Sequence, residues 1–278
     1  MKPVRIFQFS DCHIVEENSL AYDVVDTSAY LDRAVSYANS LMEDVGPVDA
    51  VVVTGDLTDH GRVAQYERLR GMLDRLVVPY YLLPGNHDRR DNIRQVFPDH
   101  GYLQGGSDEI NYSLSIDDLT LLCIDSSVPG ASHGELTTTT TDWLASQISD
   151  LGNRPVMVAF HHPPFDSGVG HMDRQRLRDP SRLFEILGGH RGPHQMICGH
   201  VHRFITSQTP AGPAVIAPGT SHAVALDHRE DGASAFRMEP GAFLMHSFDD
   251  RSGFAGFTSE YVPVGPFDGP YLFYPDRQ

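Results

Sequence analysis

A chain of 278 residues, 40% hydrophobic and with a formal net charge of −16, accommodates one large α/β domain or one domain with a smaller appendage. The acidic balance disfavours a nucleic acid polymer as partner, because such binding draws on Lys and Arg, and Lys2 is the only lysine. No stretch approaches the roughly 20 apolar residues of a membrane span, Val4 to Phe9 is too short for a secretory h-region, and the scattered Cys12, Cys123 and Cys198 read as buried, reduced thiols of a cytoplasmic protein.

In chain order, Val4 to Phe9 reads as a first strand running into Ser10-Asp11-Cys12-His13. After a polar loop to Thr27, the residues Leu31, Ala34, Val35, Ala38, Leu41 and Met42 recur at helical spacing within Ser28 to Met42. Asp49 to Thr54 is a β-branched run of the kind buried on both sheet faces, and it ends in Gly55-Asp56-Leu57-Thr58-Asp59. Val63, Tyr66, Leu69, Leu73 and Leu76 mark a second helix, and the Tyr80 strand leads into Gly85-Asn86-His87-Asp88. This alternation predicts right-handed crossovers and a parallel sheet.

Beyond Phe97 the pattern changes. Asn111 to Ile116 and Leu119 to Ile124 flank an Asp117-Asp118 turn, the signature of an antiparallel hairpin. A threonine-rich helix start at Thr137 to Thr141 leads to Trp143, Leu144 and Ile148, and the strand Pro155 to Phe160 ends in His161-His162-Pro163-Pro164. A helix follows from Ser181 to Leu187, then a strand from Gln195 to Cys198 that ends in Gly199-His200-Val201-His202. Arg203 to Thr209 and Ala214 to Ala217 form a further hairpin around Pro210 to Pro213. The last 43 residues, from Phe236, hold 10 of the 26 aromatics, too many for a disordered tail. Strands at Ala242 to Phe248 and Gly253 to Tyr261 are expected there, docked on the body or on a second subunit.

Five strand ends thus carry coordinating side chains: Asp11 and His13; Asp56; Asn86 and His87; His161; His200 and His202. In open α/β sheets, ligands gather beyond the carboxyl ends of the strands. Residues i and i+2 of an extended chain share one side, so Asp11 with His13, and His200 with His202, are each expected to face one site. Imidazole, carboxylate and amide oxygen together suit borderline divalent ions such as Zn, Mn, Fe or Co better than calcium. Each fragment alone is unremarkable, since a lone Asp-x-His or Gly-Asp after a strand is an ordinary turn. Their occurrence in this order, each after an apolar run, is not ordinary.

As an ordered set, Asp11-x-His13, Gly55-Asp56-x-x-Asp59, Gly85-Asn86-His87-Asp88, His161-His162-Pro-Pro and Gly199-His200-x-His202 resemble the motifs of calcineurin-like binuclear metallophosphoesterases over Val4 to Gly219. Ile124-Asp125-Ser126-Ser127, Pro218-Gly219-Thr220-x-His222 and the aromatic C-terminal segment resemble the bacterial cyclic-nucleotide and glycerophosphodiester phosphodiesterase branch. The resemblance implies an α/β fold, a four-layer α-β-β-α sandwich with a small C-terminal β-rich extension. Residues 1–220 would form the catalytic domain and 221–278 a cap or dimerisation segment. It also implies two divalent metal ions (Fe, Mn, Zn or Co): Asp11, His13 and His202 on one, Asn86, His161 and His200 on the other, Asp56 bridging. Asn86 and His87 would contact the substrate phosphate, His87 as the catalytic imidazole with Asp88 behind it to orient the ring.

The function so implied is hydrolysis of small phosphodiesters, glycerophosphodiesters or cyclic nucleotides, by a metal-bridged hydroxide, in a soluble homodimer or higher homo-oligomer without a membrane partner. The alternatives are a phosphomonoesterase or nucleotide-processing phosphatase of the same fold, and a non-catalytic module that has lost its metals. The loops Glu16 to Thr27, Ser127 to Glu135 and Phe165 to Asp179 are expected to wall the cleft, with His133, His171 and His222 as candidate substrate contacts, although His133 and His171 read more readily as solvated loop histidines.

Overall fold

The computed structural model describes residues 3–250 and 256–274. Its first half alternates as expected: β1 (Val4–Phe9), α1 (Thr27–Val45), β2 (Ala50–Thr54), α2 (Val63–Leu73), β3 (Tyr80–Leu83) and α3 (Arg90–Val96). Asp26 caps α1, its carboxylate accepting from the Ala29 amide at 3.0 Å. The short helix α3 carries too few apolar positions to announce itself by periodicity, burying only Ile93 and Val96. Leu76, expected on the second helix, lies beyond its end.

The second half runs β4 (Tyr112–Ile116), β5 (Leu119–Cys123), α4 (Thr138–Leu151), β6 (Val156–Ala159), α5 (Gly170–Asp173), α6 (Ser181–Gly188), β7 (His194–Cys198), β8 (Ile205–Thr209) and β9 (Gly212–Ile216). Thr137 caps α4, its hydroxyl accepting from the Thr140 amide at 3.1 Å, which explains the threonine-rich start. Two short strands, β10 (Ala223–Val224) and β11 (Phe236–Arg237), and two of eight residues each, β12 (Ala242–Asp249) and β13 (Gly256–Pro263), follow. The expected start of the last strand, Gly253, lies outside the described residues.

Two larger sheets result, ordered β13-β12-β1-β2-β3 and β4-β5-β6-β7-β9-β8, with β10 and β11 as a separate ribbon. The alternation of side chains along each strand sorts the core into layers. In β5, β6 and β7, Leu121, Met157, Ala159 and Ile197 join the core shared with the first sheet, while Leu122, Val158 and Met196 pack with Leu144 of α4 and Leu183 of α6. Leu31 of α1 and Tyr66 and Leu69 of α2 belong to the core of the first sheet. The architecture is therefore helices, sheet, sheet, helices. Cys12, Cys123 and Cys198 are free and fully buried in it.

Residues beyond 220 divide between two places. The β10–β11 ribbon stands apart from the sandwich sheets, whereas β12 pairs antiparallel with β1, Gln8 opposite Leu244, and β13 pairs with β12. Phe243 is buried with its ring 5.0 Å from Phe7 and 5.1 Å from Phe9. A cut at residue 220 removes two of the five strands of the first sheet. The final aromatics behave differently, with Phe267, Tyr271 and Phe273 exposed.

A buried polar relay joins the two sheets beneath their carboxyl ends. Gln195 donates to Ser259 Oγ at 2.7 Å, Ser259 to His246 Nδ1 at 2.8 Å, and His246 Nε2 to Gln8 Oε1 at 2.8 Å. The Gln8 amide then donates to Thr54 Oγ1 at 2.8 Å and to the Cys198 carbonyl at 2.9 Å. Because Gln8 must present its oxygen to His246, the imidazole is fixed as the Nε2–H tautomer.

Candidate active site

The polypeptide leaves three of the five ligand-bearing strands, β1, β2 and β7, with a kink rather than as extended chain. Asp11, His13, Asp56, His200 and His202 all have φ between 43° and 74°, a left-handed region that non-glycine residues enter at a cost and that clusters where side chains are held for function. The spacing expectation therefore needs correction in its cause. Asp11 and His13 reach the same place because the backbone curls at both, not because an extended strand alternates. His200 and His202 line one cleft, His202 grouping with Asp11 and His13, and His200 with His161 and His162, the division between two ions that the resemblance implies. Gly85 and Gly199 make this crowding possible. A Cβ on Gly85 would collide with the Asp56 carboxylate, and one on Gly199 with Ser10 Oγ.

Distances within the cluster are short. His13 Nε2 lies 3.2 Å from His202 Nε2, and His202 Nε2 lies 3.4 Å from Asp11 Oδ1. Asp56 Oδ2 stands between the two halves, 3.6 Å from His13 Nε2 and 3.4 Å from His161 Nε2. The decisive feature is what these atoms lack. Asn86 Oδ1, His161 Nε2, His200 Nε2 and His202 Nδ1 are buried and have no hydrogen-bond partner among the described residues, although unpaired buried polar atoms cost roughly 1–3 kcal/mol each. A cation resolves that cost, and oxygen with imidazole nitrogen suits a borderline divalent metal. The residues present fit such ions.

The remaining ring nitrogens are anchored in the manner that metal-ligating histidines require. His161 Nδ1 donates to the Thr54 carbonyl at 2.8 Å, and His13 Nδ1 bonds Asp59 Oδ1 at 3.1 Å. Burial pushes Asp11 up to about 6, against the opposing charge of His161. Burial also opposes ionisation of Asp56, yet the His161, His87 and His13 charges hold it well below the usual carboxylate range. His200 is brought down to about 3 by burial and by His161, which keeps the ring neutral with one nitrogen lone pair free for a ligand.

One expectation about the catalytic pair fails. Asp88 does not orient His87: its oxygens accept from Gly85 N at 2.8 Å, Leu57 N at 3.0 Å, Thr58 N at 3.2 Å and Tyr66 Oη at 2.9 Å. An acceptor-only carboxylate beside so many unpaired loop amides is drawn to them, and it staples the Asp56 loop to the Asn86 loop. His87 is held instead by the Asp59 backbone, its Nδ1 donating to that carbonyl at 2.8 Å.

Around the cluster is a cleft of about 340 Å³ whose lining includes Asn86, His87, His171, Gln175, His222 and Phe236. Of the expected walls, the first supplies Tyr22 and the third His171, Met172 and Gln175, whereas no residue of Ser127 to Glu135 lines the cleft. His133 instead bonds Glu135 at 3.1 Å. The 124–127 stretch acts from below, where Asp125 holds Arg90 Nε at 2.7 Å and His162 is tied to Ser126 Oγ at 2.9 Å. Tyr22, Phe236 and Gln175 were not singled out in the sequence, where nothing marks an isolated loop aromatic or amide as facing a cleft.

Comparison with known proteins agrees with this geometry. Residues 4–204 match the family model described as calcineurin-like phosphoesterase. Over 275 residues the chain is 34% identical to a probable glycerophosphodiester phosphodiesterase GpdQ of Arcobacter nitrofigilis, covering 98% of this chain and 97% of that one. It is 28% identical to the 3′,5′-cyclic adenosine monophosphate phosphodiesterase CpdA of Pseudomonas aeruginosa, covering 89% and 86%. A dimetal phosphatase from Danio rerio shares the fold with a TM-score of 0.66 at 12% identity, covering 94% of this chain and 99% of that one.

Proposed function

The chain belongs to the calcineurin-like phosphoesterase family, and from that premise we propose that it hydrolyses small phosphodiesters at a pair of divalent metals held by the strand ends. Phosphodiester hydrolysis is the activity named for its relatives, of glycerophosphodiesters for some and cyclic nucleotides for others. The observation that carries the reading is the set of partnerless buried atoms, Asn86 Oδ1, His161 Nε2 and His200 Nε2, facing the Asp11–His13–His202 group across Asp56. Asp11, His13 and His202 are assigned to one ion and Asn86, His161 and His200 to the other, with Asp56 shared. Bound there, divalent ions lower the pKa of water and offset charge on the attacking and leaving oxygens.

This chain's own residues do the rest. His87 has Nδ1 committed to the Asp59 carbonyl, so Nε2 is left for the substrate, to hydrogen-bond a phosphoryl oxygen or pass a proton to the departing alkoxide. Such general-acid help is typically worth about 10²–10⁴-fold. Asp88 positions the loops that carry Asp56 and Asn86. His222, buried at the cleft edge with its ring 4.6 Å from that of His202, is assigned to the substrate's ester group.

A diester is favoured over a monoester by charge. Among the described residues no Lys or Arg lines the cleft, and a phosphomonoester near neutrality brings about −1.5 to −2 charges where a diester brings one. Parallel turnover of bis(p-nitrophenyl) phosphate and p-nitrophenyl phosphate under defined metal tests this, and preference for the monoester overturns it. A self-associating state is supported by the exposed Phe267, Tyr271, Leu272 and Phe273, and a monomeric mass in solution removes it. The three free buried thiols support a reducing compartment. Among the described residues no helix is long and apolar enough to cross a membrane.

A further inference from the structure

We propose that Tyr22 and Phe236 are specificity-determining residues that receive a flat π ring carried on one ester group of the substrate. The inference rests on the diester reading and goes on to say what is attached to phosphorus. Its starting point is a turn that resists its own sequence. Ala21 and Val25 form an antiparallel bridge, their amides and carbonyls exchanging bonds of 2.9 Å, and the Val24 amide donates to the Ala21 carbonyl at 3.1 Å. Between them, Tyr22 has φ 52° and Asp23 has φ 61°. Two successive left-handed residues are the pattern of a type I′ turn, whose usual occupants are Asn and Gly. A tyrosine is a poor choice there, and a bulky residue held at positive φ points to a use for its side chain.

The surroundings enforce the conformation. Val15, Ala21 and Val25 form a small buried cluster against which Tyr30 and Phe236 pack, and Thr27 Oγ1 donates to the His13 carbonyl at 2.9 Å. Ala21 and Val25 are thus sunk into the body, while Tyr22 between them remains 46% exposed and lines the cleft. Its ring lies 5.1 Å from Phe236, 5.4 Å from His222 and 6.3 Å from His13. Phe236 reaches this place from β11, paired with Val224 of β10, and its ring is 5.2 Å from His222. The result is an aromatic wall that begins beside the ligand His13 and runs outward.

The other outer lining residues decide what kind of group the wall takes. Met172 is apolar, while Gln175 and Ser234 are neutral and polar. The Gln175 amide nitrogen is bonded to the His171 carbonyl at 3.0 Å, leaving its oxygen as an acceptor. A ring that stacks on Tyr22 and Phe236 can present hydrogen-bonding edges to Gln175 and Ser234, as a nucleobase does. A trimethylammonium group, the other partner aromatic rings attract, has no use for those polar atoms.

The test compares KM for 3′,5′-cyclic AMP with KM for glycerophosphocholine in the metal-loaded, full-length protein. Loss of one stacking aromatic is worth about 10-fold in affinity, so Tyr22→Asn and Phe236→Ala are each expected to raise the ratio of the two KM values by about that factor. Tyr22→Phe keeps the ring and should keep the ratio. Because Asn tolerates the left-handed conformation, Tyr22→Asn should melt no lower than the wild type, which separates loss of the wall from loss of the fold. A ratio within about twofold of wild type in both ring-removing variants overturns the proposal, as does a rise confined to glycerophosphocholine. If the wild type cleaves neither compound, the diester reading falls. Calorimetric binding of adenosine, present in wild type and lost in Phe236→Ala, still decides the wall, and its absence in wild type refutes it.

Discussion

The inner and outer parts of the cleft are built by opposite means. Inside, Asp11, His161 and His200 are at most 3% exposed, and several of the polar atoms there have no partner among the described residues. The rest of each ring is anchored, His161 on the Thr54 carbonyl and His13 on Asp59. Outside, Tyr22 is half exposed, and the wall is assembled from a loop turn, the short helix α5 and the β10–β11 ribbon. Burying unpaired donors in a rigid frame determines which cations and which reaction the protein supports. A wall on turns and a ribbon leaves that reaction alone and governs what is carried beside the phosphate.

The contrast breaks first at Asp56, which faces both halves of the inner cluster. Asp56→Ala should lose metal, measured by elemental analysis, together with diester turnover by roughly 10³-fold or more. Retained activity in chelator-treated buffer would refute the shared-ligand assignment. The next largest effect concerns stability. Asp88→Ala strands the Gly85, Leu57 and Thr58 amides, and chemical denaturation should show a loss of about 3 kcal/mol. If Asp88 acted only on the His87 ring, stability would be untouched.

His87→Ala sharpens the division between holding metal and using it. Turnover should fall by about 10²-fold while metal content stays at the wild-type level, and a parallel loss of metal would move His87 into the ligand set. The smallest effect lies below the cleft floor. Burial lowers His246 from 6.5 to about 3, below its unfolded value, so the unfolded chain takes up the proton first. The stability this provides is complete above about pH 6.5 and is lost as pH falls toward 3, amounting to about 2 kcal/mol at about pH 5. In His246→Gln, which keeps a polar link to Gln8, urea titrations should show that portion of the acid slope gone.

Local pattern alone determined the strands, most of the long helices and the residue types that gather at the strand ends. Val51, Val52 and Val53 demand burial on both sides wherever they sit, and five of the apolar runs lead into a turn that carries a candidate ligand. That information is local, because periodicity and turn chemistry depend on neighbours in the chain. Tertiary structure decided what depends on contacts between distant segments. It placed β12 beside β1, so that the C-terminal residues complete a sheet. It turned Asp88 to the loop amides instead of to His87, and brought Tyr22 against Phe236. In each case the competing arrangements have the same local sequence, and only the packing of segments far apart in the chain makes one of them lower in energy.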